Sequence, residues 1–188
     1  VVDGRARLAL SHRALYAFAD FLFSRLQMFL AVYFHPTSVS FDEMLRQHFL
    51  SGGSTYRVPS DPALFARCDD GALIENLRGS TEPWARRIVA REPFKLLFET
   101  DADPARAEQL AENLNRNGVQ GFTTASRGVV SRYFGGDVPL LVVDAGHRVR
   151  PISEVASLLT NQSRPVEISR VYVAPEELER AVEIRADS

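Results

Sequence analysis

The sequence has 188 residues, of which 45% are hydrophobic and 24% are charged, enough to bury one sizeable core or two small ones. Its 22 basic and 24 acidic residues leave a formal net charge of −2, so we expect no attraction to nucleic acid or to an anionic membrane. The single cysteine, Cys68, excludes an internal disulfide and fits a cytoplasmic protein. Because the sequence begins without methionine and without a signal-peptide pattern, we interpret it as a segment of a longer protein.

The first ten residues alternate around Asp3-Gly4, a pattern that predicts a hairpin. A long helix is then predicted from Ser11, a suitable N-cap, to about His35, where Pro36 ends it. The apolar run in this helix is long enough to suggest a membrane span. It contains four polar or charged residues that a bilayer would disfavour, so we predict a buried core helix of a soluble protein. These residues are Asp20, Ser24, Arg25 and Gln27.

A second helix is predicted to begin at Ser40, because Glu43 three residues later completes a capping box. Gly52-Gly53 marks its end. Three shorter helices follow, and two of them carry a proline in the first turn. Their predicted starts are Ser60, Asp70 and Thr81.

The pattern changes after residue 92. A strand is predicted from Phe94 to Thr100, followed by a helix that Asp103-Pro104 begins and Gly118 ends. Further strands are predicted at residues 121–125, 129–134, 139–144 and 167–173, with a hairpin turn at Ala145-Gly146 and helices from Ile152 to about 161 and from Pro175. The sequence therefore predicts an α+β fold, with a mostly α-helical segment over residues 1–92 and a small α+β domain over residues 93–188.

Arg25 is unusual on the long helix. At 100° per residue the polar side chains form a narrow stripe around Asp20, whereas Arg25 lies about 140° away among phenylalanines and valine. A guanidinium on an apolar arc requires an anion. The residues alone leave two interpretations open: an ion pair or snorkelling side chain at the edge of the core, and a ligand for phosphate.

Three segments in the first fifty residues resemble the region that follows the catalytic core of HD-domain phosphohydrolases, in particular the deoxynucleoside triphosphate triphosphohydrolases. They are Phe21-Leu22-Phe23-Ser24-Arg25, Val32-Tyr33-Phe34-His35 and Met44-Leu45-Arg46. The segments Val1-Val2-Asp3-Gly4, Arg91-Glu92-Pro93-Phe94-Lys95 and Arg170-Val171-Tyr172-Val173 also suit that family. The resemblance implies that the helical segment completes an HD-type helical domain.

The resemblance also implies substrate contacts. It assigns Arg25 to the substrate phosphates, Tyr33 to the sugar and base, and His35 to a nucleotide-binding surface. A core tyrosine and a helix C-cap histidine are the alternatives for Tyr33 and His35. The family holds one or two metal ions with a His, a His-Asp pair and a distant Asp. This chain has no His-Asp dipeptide, so the resemblance places those ligands before residue 1 and predicts no catalytic and no metal-binding residue here.

We therefore expect the C-terminal part of a metal-dependent, nucleotide-binding phosphohydrolase, a hydrolase whose parent protein holds the divalent metal. The partners implied are a nucleotide or phosphate-ester substrate, the upstream HD catalytic helices and further copies in a homo-oligomer, with no membrane and no nucleic acid. Alone, the chain would be inactive. The alternative is a non-catalytic oligomerisation or small-ligand regulatory domain in which Arg25 pairs with an internal carboxylate.

Overall fold

The computed structural model describes residues 6–128, 140–155 and 166–186. The helices are α1 (Leu15–Met28), α2 (Pro36–Leu50), α3 (Pro62–Phe65), α4 (Asp70–Gly79), α5 (Pro83–Ala90), α6 (Pro104–Arg116), α7 (Ile152–Val155) and α8 (Leu178–Ala186). The strands are β1 (Ala9–Ser11), β2 (Lys95–Thr100), β3 (Gly121–Gly128), β4 (Leu141–Val143), β5 (Val149–Pro151) and β6 (Val166–Val173). Short 3-10 turns cover His12–Ala14 and Pro175–Glu177, and a π turn covers Phe29–Tyr33. The α+β prediction is confirmed.

The chain divides into two compact units, each built from two separate stretches of sequence. Unit 1 comprises Val1–Phe34 and Ser126–Glu167, and unit 2 comprises His35–Ala125 and Ile168–Ser188. The predicted change of domain after residue 92 falls inside unit 2 and remains a prediction about domains.

Unit 1 contains α1 and a small mixed sheet with the strand order β1-β4-β5. β1 runs parallel to β4, whereas β4 and β5 form an antiparallel hairpin around the predicted turn. In that turn Asp144 accepts a backbone hydrogen bond from Arg148 at 3.0 Å, and His147 adopts a positive φ of 61°. Val142 and Ile152 are fully buried, and apolar side chains of α1 pack against them. The predicted hairpin at Ala145-Gly146 is confirmed.

Unit 2 contains a second sheet, with the order β2-β6-β3, and helices on both of its faces. Alternation along β6 separates the faces: Val171 and Val173 join the core under α6 and α8, whereas Tyr172 joins Met44 and Phe94 under α2 and α5. The Tyr172 hydroxyl donates a hydrogen bond to the Pro36 carbonyl oxygen at 3.0 Å. Burial raises the pKa of Tyr172 to about 12. The helical segment around α2 is thus fastened to the sheet.

Most of the local predictions in unit 2 are confirmed. The strands β2 and β6 lie within one residue of their predicted positions, and the helices α3, α4 and α5 begin within two residues of theirs. The 3-10 turn that leads into α8 begins at Pro175, as predicted for the last helix. Asp103 accepts a hydrogen bond from the Arg106 backbone N–H at 3.1 Å, as predicted for an N-cap, and Gly118 has the positive φ (71°) expected after a helix. The Asp3-Gly4 hairpin, the strand at residues 129–134 and the helix beyond Val155 lie outside the described residues.

The predicted start of α2 is wrong. The helix begins at Pro36. Backbone N–H groups in the first turn of a helix have no partner within the helix, so the N–H that proline lacks is not missed there. Ser40 is instead buried inside the helix, and its hydroxyl donates to the Phe94 carbonyl oxygen at 3.1 Å. Glu43 accepts hydrogen bonds from Arg46 and Gln47, so it forms no capping box. Ser40, which the local pattern predicted to be a helix cap, instead forms a tertiary hydrogen bond with Phe94.

The prediction that the long helix is buried is also wrong for this chain. In the described structure Leu22 is the one buried residue of α1. The stretch His12–Tyr33 has the length and composition of a membrane-crossing helix, a test that core helices and signal sequences also pass, and 6% of its apolar window is buried. Among the residues that the structure describes, little covers this apolar helix.

Candidate functional site

α1 is oriented by one apolar stripe. Leu15, Phe18, Ala19 and Leu22 follow the i, i+3, i+4, i+7 spacing of a helix face and pack toward the core of unit 1. The neighbouring face, spaced i, i+4, i+7, carries Phe21, Arg25 and Met28. On it Phe21 is 54% exposed and Met28 is 41% exposed. Arg25 therefore lies on the exposed apolar flank of the helix.

Arg25 is held by an aromatic ring one turn further along. Its guanidinium carbon lies 5.3 Å from the centre of the Phe29 ring, within the range of a cation–π contact. Arg25 itself is exposed. The contact with Phe29 agrees with the prediction that Arg25 lies among apolar side chains. Its role as a phosphate ligand remains a prediction.

Tyr33 contacts the same ring. The centroids of Tyr33 and Phe29 are 5.3 Å apart, and Tyr33 is 56% exposed. In a uniform α-helix Tyr33 would lie about 80° from Arg25. The chain instead forms a π turn, in which the Phe34 N–H donates to the Phe29 carbonyl oxygen at 2.8 Å. A π turn holds more residues per turn, which rotates Tyr33 back toward Arg25, and such turns occur frequently at functional sites.

We call Arg25, Phe29 and Tyr33 the aromatic–cation row. Phe29 was missed from the sequence, although its position four residues after Arg25 and four before Tyr33 is a usable signal. The row is supported from behind by Gly128 at the end of β3. A Cβ atom at Gly128 would lie 2.8 Å from the tip of the Phe34 ring and 3.4 Å from Phe29 Cδ1. Glycine is therefore required for the strand to approach these rings so closely.

His35 has a different position. It is exposed, it precedes the first residue of α2, and its Nδ1 atom accepts a hydrogen bond from the Thr37 N–H at 3.3 Å. The C-cap alternative for His35 is wrong, because the residue caps the beginning of a helix and not an end. His35 belongs to unit 2, whereas Arg25, Phe29 and Tyr33 belong to unit 1. His35 is therefore not part of the aromatic–cation row.

The described residues do not fit a metal centre. No group of three or more His, Cys, Asp or Glu side chains that could hold an ion occurs within residues 6–128, 140–155 and 166–186. One close pair in unit 2 joins the buried His48 to the half-buried Glu82: His48 Nδ1 lies 2.8 Å from Glu82 Oε2. Glu82 Oε2 also accepts from the Ala85 N–H at 3.1 Å, so this pair ties α2 to the beginning of α5. The His48–Glu82 pair therefore has a structural role.

Comparisons with known proteins identify the family and the fold of this chain. The family model described as "HD associated region" matches residues 2–126. No curated protein matches the chain. Two solved structures share its fold: a hypothetical protein from Aquifex aeolicus (TM-score 0.76, 22% identity, 95% of this chain and 47% of that one) and a phosphohydrolase from Bacteroides thetaiotaomicron VPI-5482 (TM-score 0.59, 17% identity, 92% and 53%). This chain spans about half the length of either structure. Because the family model covers well over half of the sequence, the chain belongs to the HD-associated region family.

Proposed function

We propose that this chain is the accessory part of a metal-dependent HD-family phosphohydrolase that acts on nucleotides. Arg25 contacts the substrate phosphates and Tyr33 contacts the sugar and base. The role of His35, in the other unit, is a separate proposal: it contacts a nucleotide at the beginning of α2. The metal and the attacking water belong to HD catalytic helices upstream in the longer protein. The observation that carries the proposal is the aromatic–cation row, which presents an exposed guanidinium and an exposed phenol on one ring.

The chemistry of the row suits a nucleotide. A guanidinium stays protonated at any physiological pH and offers a planar fork of donors that matches two phosphate oxygens. The Tyr33 ring supplies an apolar face for a sugar or base, and its hydroxyl supplies a hydrogen bond. Phe29 reduces the freedom of both side chains because it contacts both of them. Less conformational entropy is then lost when a ligand binds.

The exposed flank of α1 supports the upstream partner. Phe21 and Met28 share a face with Arg25, and in the part of the chain that the structure describes both side chains are exposed. Soluble proteins rarely leave such patches without a partner. The two solved structures with this fold are about twice as long, so a further segment of comparable size is available in proteins of this architecture. HD helices that cover this flank would lie next to Arg25.

The test is kinetic and uses the full-length parent. Arg25→Ala should lower kcat/KM by about 10- to 150-fold, the equivalent of about 1.5–3 kcal/mol for a charge-assisted hydrogen bond. Arg25→Lys should recover only part of this loss, because an ammonium keeps the charge without the planar fork. Arg13→Ala is the matched control, since Arg13 is an exposed arginine just before α1. Unchanged kinetics in Arg25→Ala, with the fold intact by circular dichroism, would remove Arg25 from the mechanism.

The second candidate function is a non-catalytic oligomerisation domain, and the same exposed flank favours it. A second copy of the chain could cover Phe21 and Met28 in place of the HD helices. Phe21→Glu separates the two cases. If this variant breaks the oligomer of the full-length parent, measured by light scattering, and the turnover per subunit stays the same, the flank serves assembly and the catalytic proposal for this surface is lost.

A further inference from the structure

A second surface, in unit 2, carries a concentration of positive charge that the proposed function does not use. A cleft of about 650 Å³ lies between β2, α6 and α8. The residues that line it are Phe98, Arg106, Gln109, Leu110, Asn113, Arg116 and Arg185. Within the described parts of the chain, this lining holds three arginines and no acidic residue, although the formal net charge of the chain is −2.

The sequence of α6 explains why one of its sides is basic. With Arg106 at 0° on the helix wheel, Gln109, Asn113 and Arg116 fall within about 80° of it. The acidic residues Glu108 and Glu112 lie further round, at about 200° and 240°. Leu110 and its buried neighbours face the sheet, so the polar side beside them forms a wall of the cleft.

Two of the arginines are held in place by neutral groups. The Arg106 guanidinium carbon lies 5.4 Å from the centre of the Phe98 ring. Arg185 donates a hydrogen bond through Nη1 to the Leu97 carbonyl oxygen at 2.6 Å. Arg116 approaches Glu112 at 3.8 Å, but both side chains are 73% exposed, where such pairs contribute little. Among the residues that the structure describes, no close buried carboxylate neutralises these oriented positive charges.

We propose that this cleft binds a phosphorylated small molecule of nucleotide size that carries at least two negative charges. Three guanidiniums lining one concave surface concentrate a positive field that attracts such an anion. The volume falls within the roughly 300–1,000 Å³ of small-molecule sites and is larger than a single phosphate requires. Phe98 supplies an apolar wall, and the amides of Gln109 and Asn113 can both donate and accept hydrogen bonds.

The Asn113 amide is already oriented for recognition. Asn117 Nδ2 donates to Asn113 Oδ1 at 3.1 Å, which fixes the position of the amide along α6. An uncharged nucleoside could form hydrogen bonds with these amides, but the three arginines would not attract it. The site therefore selects first by charge and then by size. It is separate from the aromatic–cation row, which belongs to unit 1.

The test is calorimetric titration of the 188-residue chain with ATP, pyrophosphate, inorganic phosphate and adenosine. ATP and pyrophosphate should bind saturably, ATP more tightly, adenosine should not bind, and affinity should fall as salt is raised. Arg106→Gln combined with Arg116→Gln should weaken ATP binding by about 100-fold, tenfold for each arginine. The double variant Arg67→Gln/Arg78→Gln, which removes two exposed arginines outside the cleft, should bind as the original chain does.

The outcomes are separable from those of the proposed function. Arg25→Ala should leave ATP binding at the cleft unchanged, so loss of hydrolysis in that variant says nothing against the cleft. Absence of saturable ATP binding at millimolar concentration would overturn the proposal. Equal affinity in the cleft and control double variants, with matching thermal melts, would overturn it too. Pyrophosphate binding as tight as that of ATP would overturn the assignment of a nucleotide-sized ligand.

Discussion

Replacing Tyr172 with phenylalanine should have opposite effects on stability at neutral and at high pH. Tyr172 is fully buried, and its hydroxyl donates to the Pro36 carbonyl oxygen, which joins β6 to the first turn of α2. At pH 7 the Tyr172→Phe variant loses this hydrogen bond. The free energy of unfolding should then fall by about 1 kcal/mol, the usual net contribution of such a bond.

At high pH the sign should reverse. Burial raises the pKa of Tyr172 to about 12, against an ordinary value of 10.0. The unfolded chain therefore releases the phenolic proton at lower pH than the folded chain, and stability falls as the pH rises from about 10 to about 12. The loss is about 1.4 kcal/mol by about pH 11 and at most about 3 kcal/mol. Phenylalanine does not titrate, so the two stability profiles should cross near pH 11.

Urea unfolding followed by circular dichroism at pH 7 and at steps from pH 9 to pH 12 measures both effects. Tyr16→Phe is the matched control, because Tyr16 is 84% exposed and should behave as the original chain does. Parallel profiles for the original chain and Tyr172→Phe, with no crossing, would refute the assignment of the alkaline loss to this buried phenol. A neutral-pH change near zero would refute the contribution of the bond to Pro36.

Two further substitutions test the packing. Gly128→Ala should lower the free energy of unfolding by about 1–3 kcal/mol, because the new methyl group would collide with the Phe34 ring. The control Gly79→Ala should have little effect, since a Cβ atom there meets no atom within 4 Å. Equal melting temperatures for the two variants would contradict the close approach of Gly128 to Phe34. Glu82→Ala should cost about 2–4 kcal/mol, because it removes the cap of α5 and leaves His48 buried without its partner. In urea unfolding the control Glu75→Ala, at a 78% exposed side chain, should change stability by about 0.5 kcal/mol or less.

The resemblance to HD-family proteins stated from three short segments agrees with the family to which the chain belongs. The nucleotide specificity rests on the roles assigned to Arg25 and Tyr33, which remain proposals. Their arrangement depends on Phe29, and nothing in the residue pattern indicated that the helix would widen into a π turn there. Phe34, whose N–H closes this turn, also lies close to Gly128, 94 positions further along the sequence, a contact that short-range patterns do not indicate.

The sequence by itself determined several local features of this protein. Asp103 beside Pro104, Gly118 after the last turn of α6, and the alternation of β6 specify helix ends and a strand through contacts within a few residues, and those contacts are the same in any fold. The tertiary structure alone decided the partners. Distant residues come together in the parallel pairing of β1 with β4 and in the hydrogen bond from Ser40 to Phe94. They also come together in the basic cleft between β2, α6 and α8. Such contacts depend on which apolar faces pack together, and short-range patterns do not encode that choice.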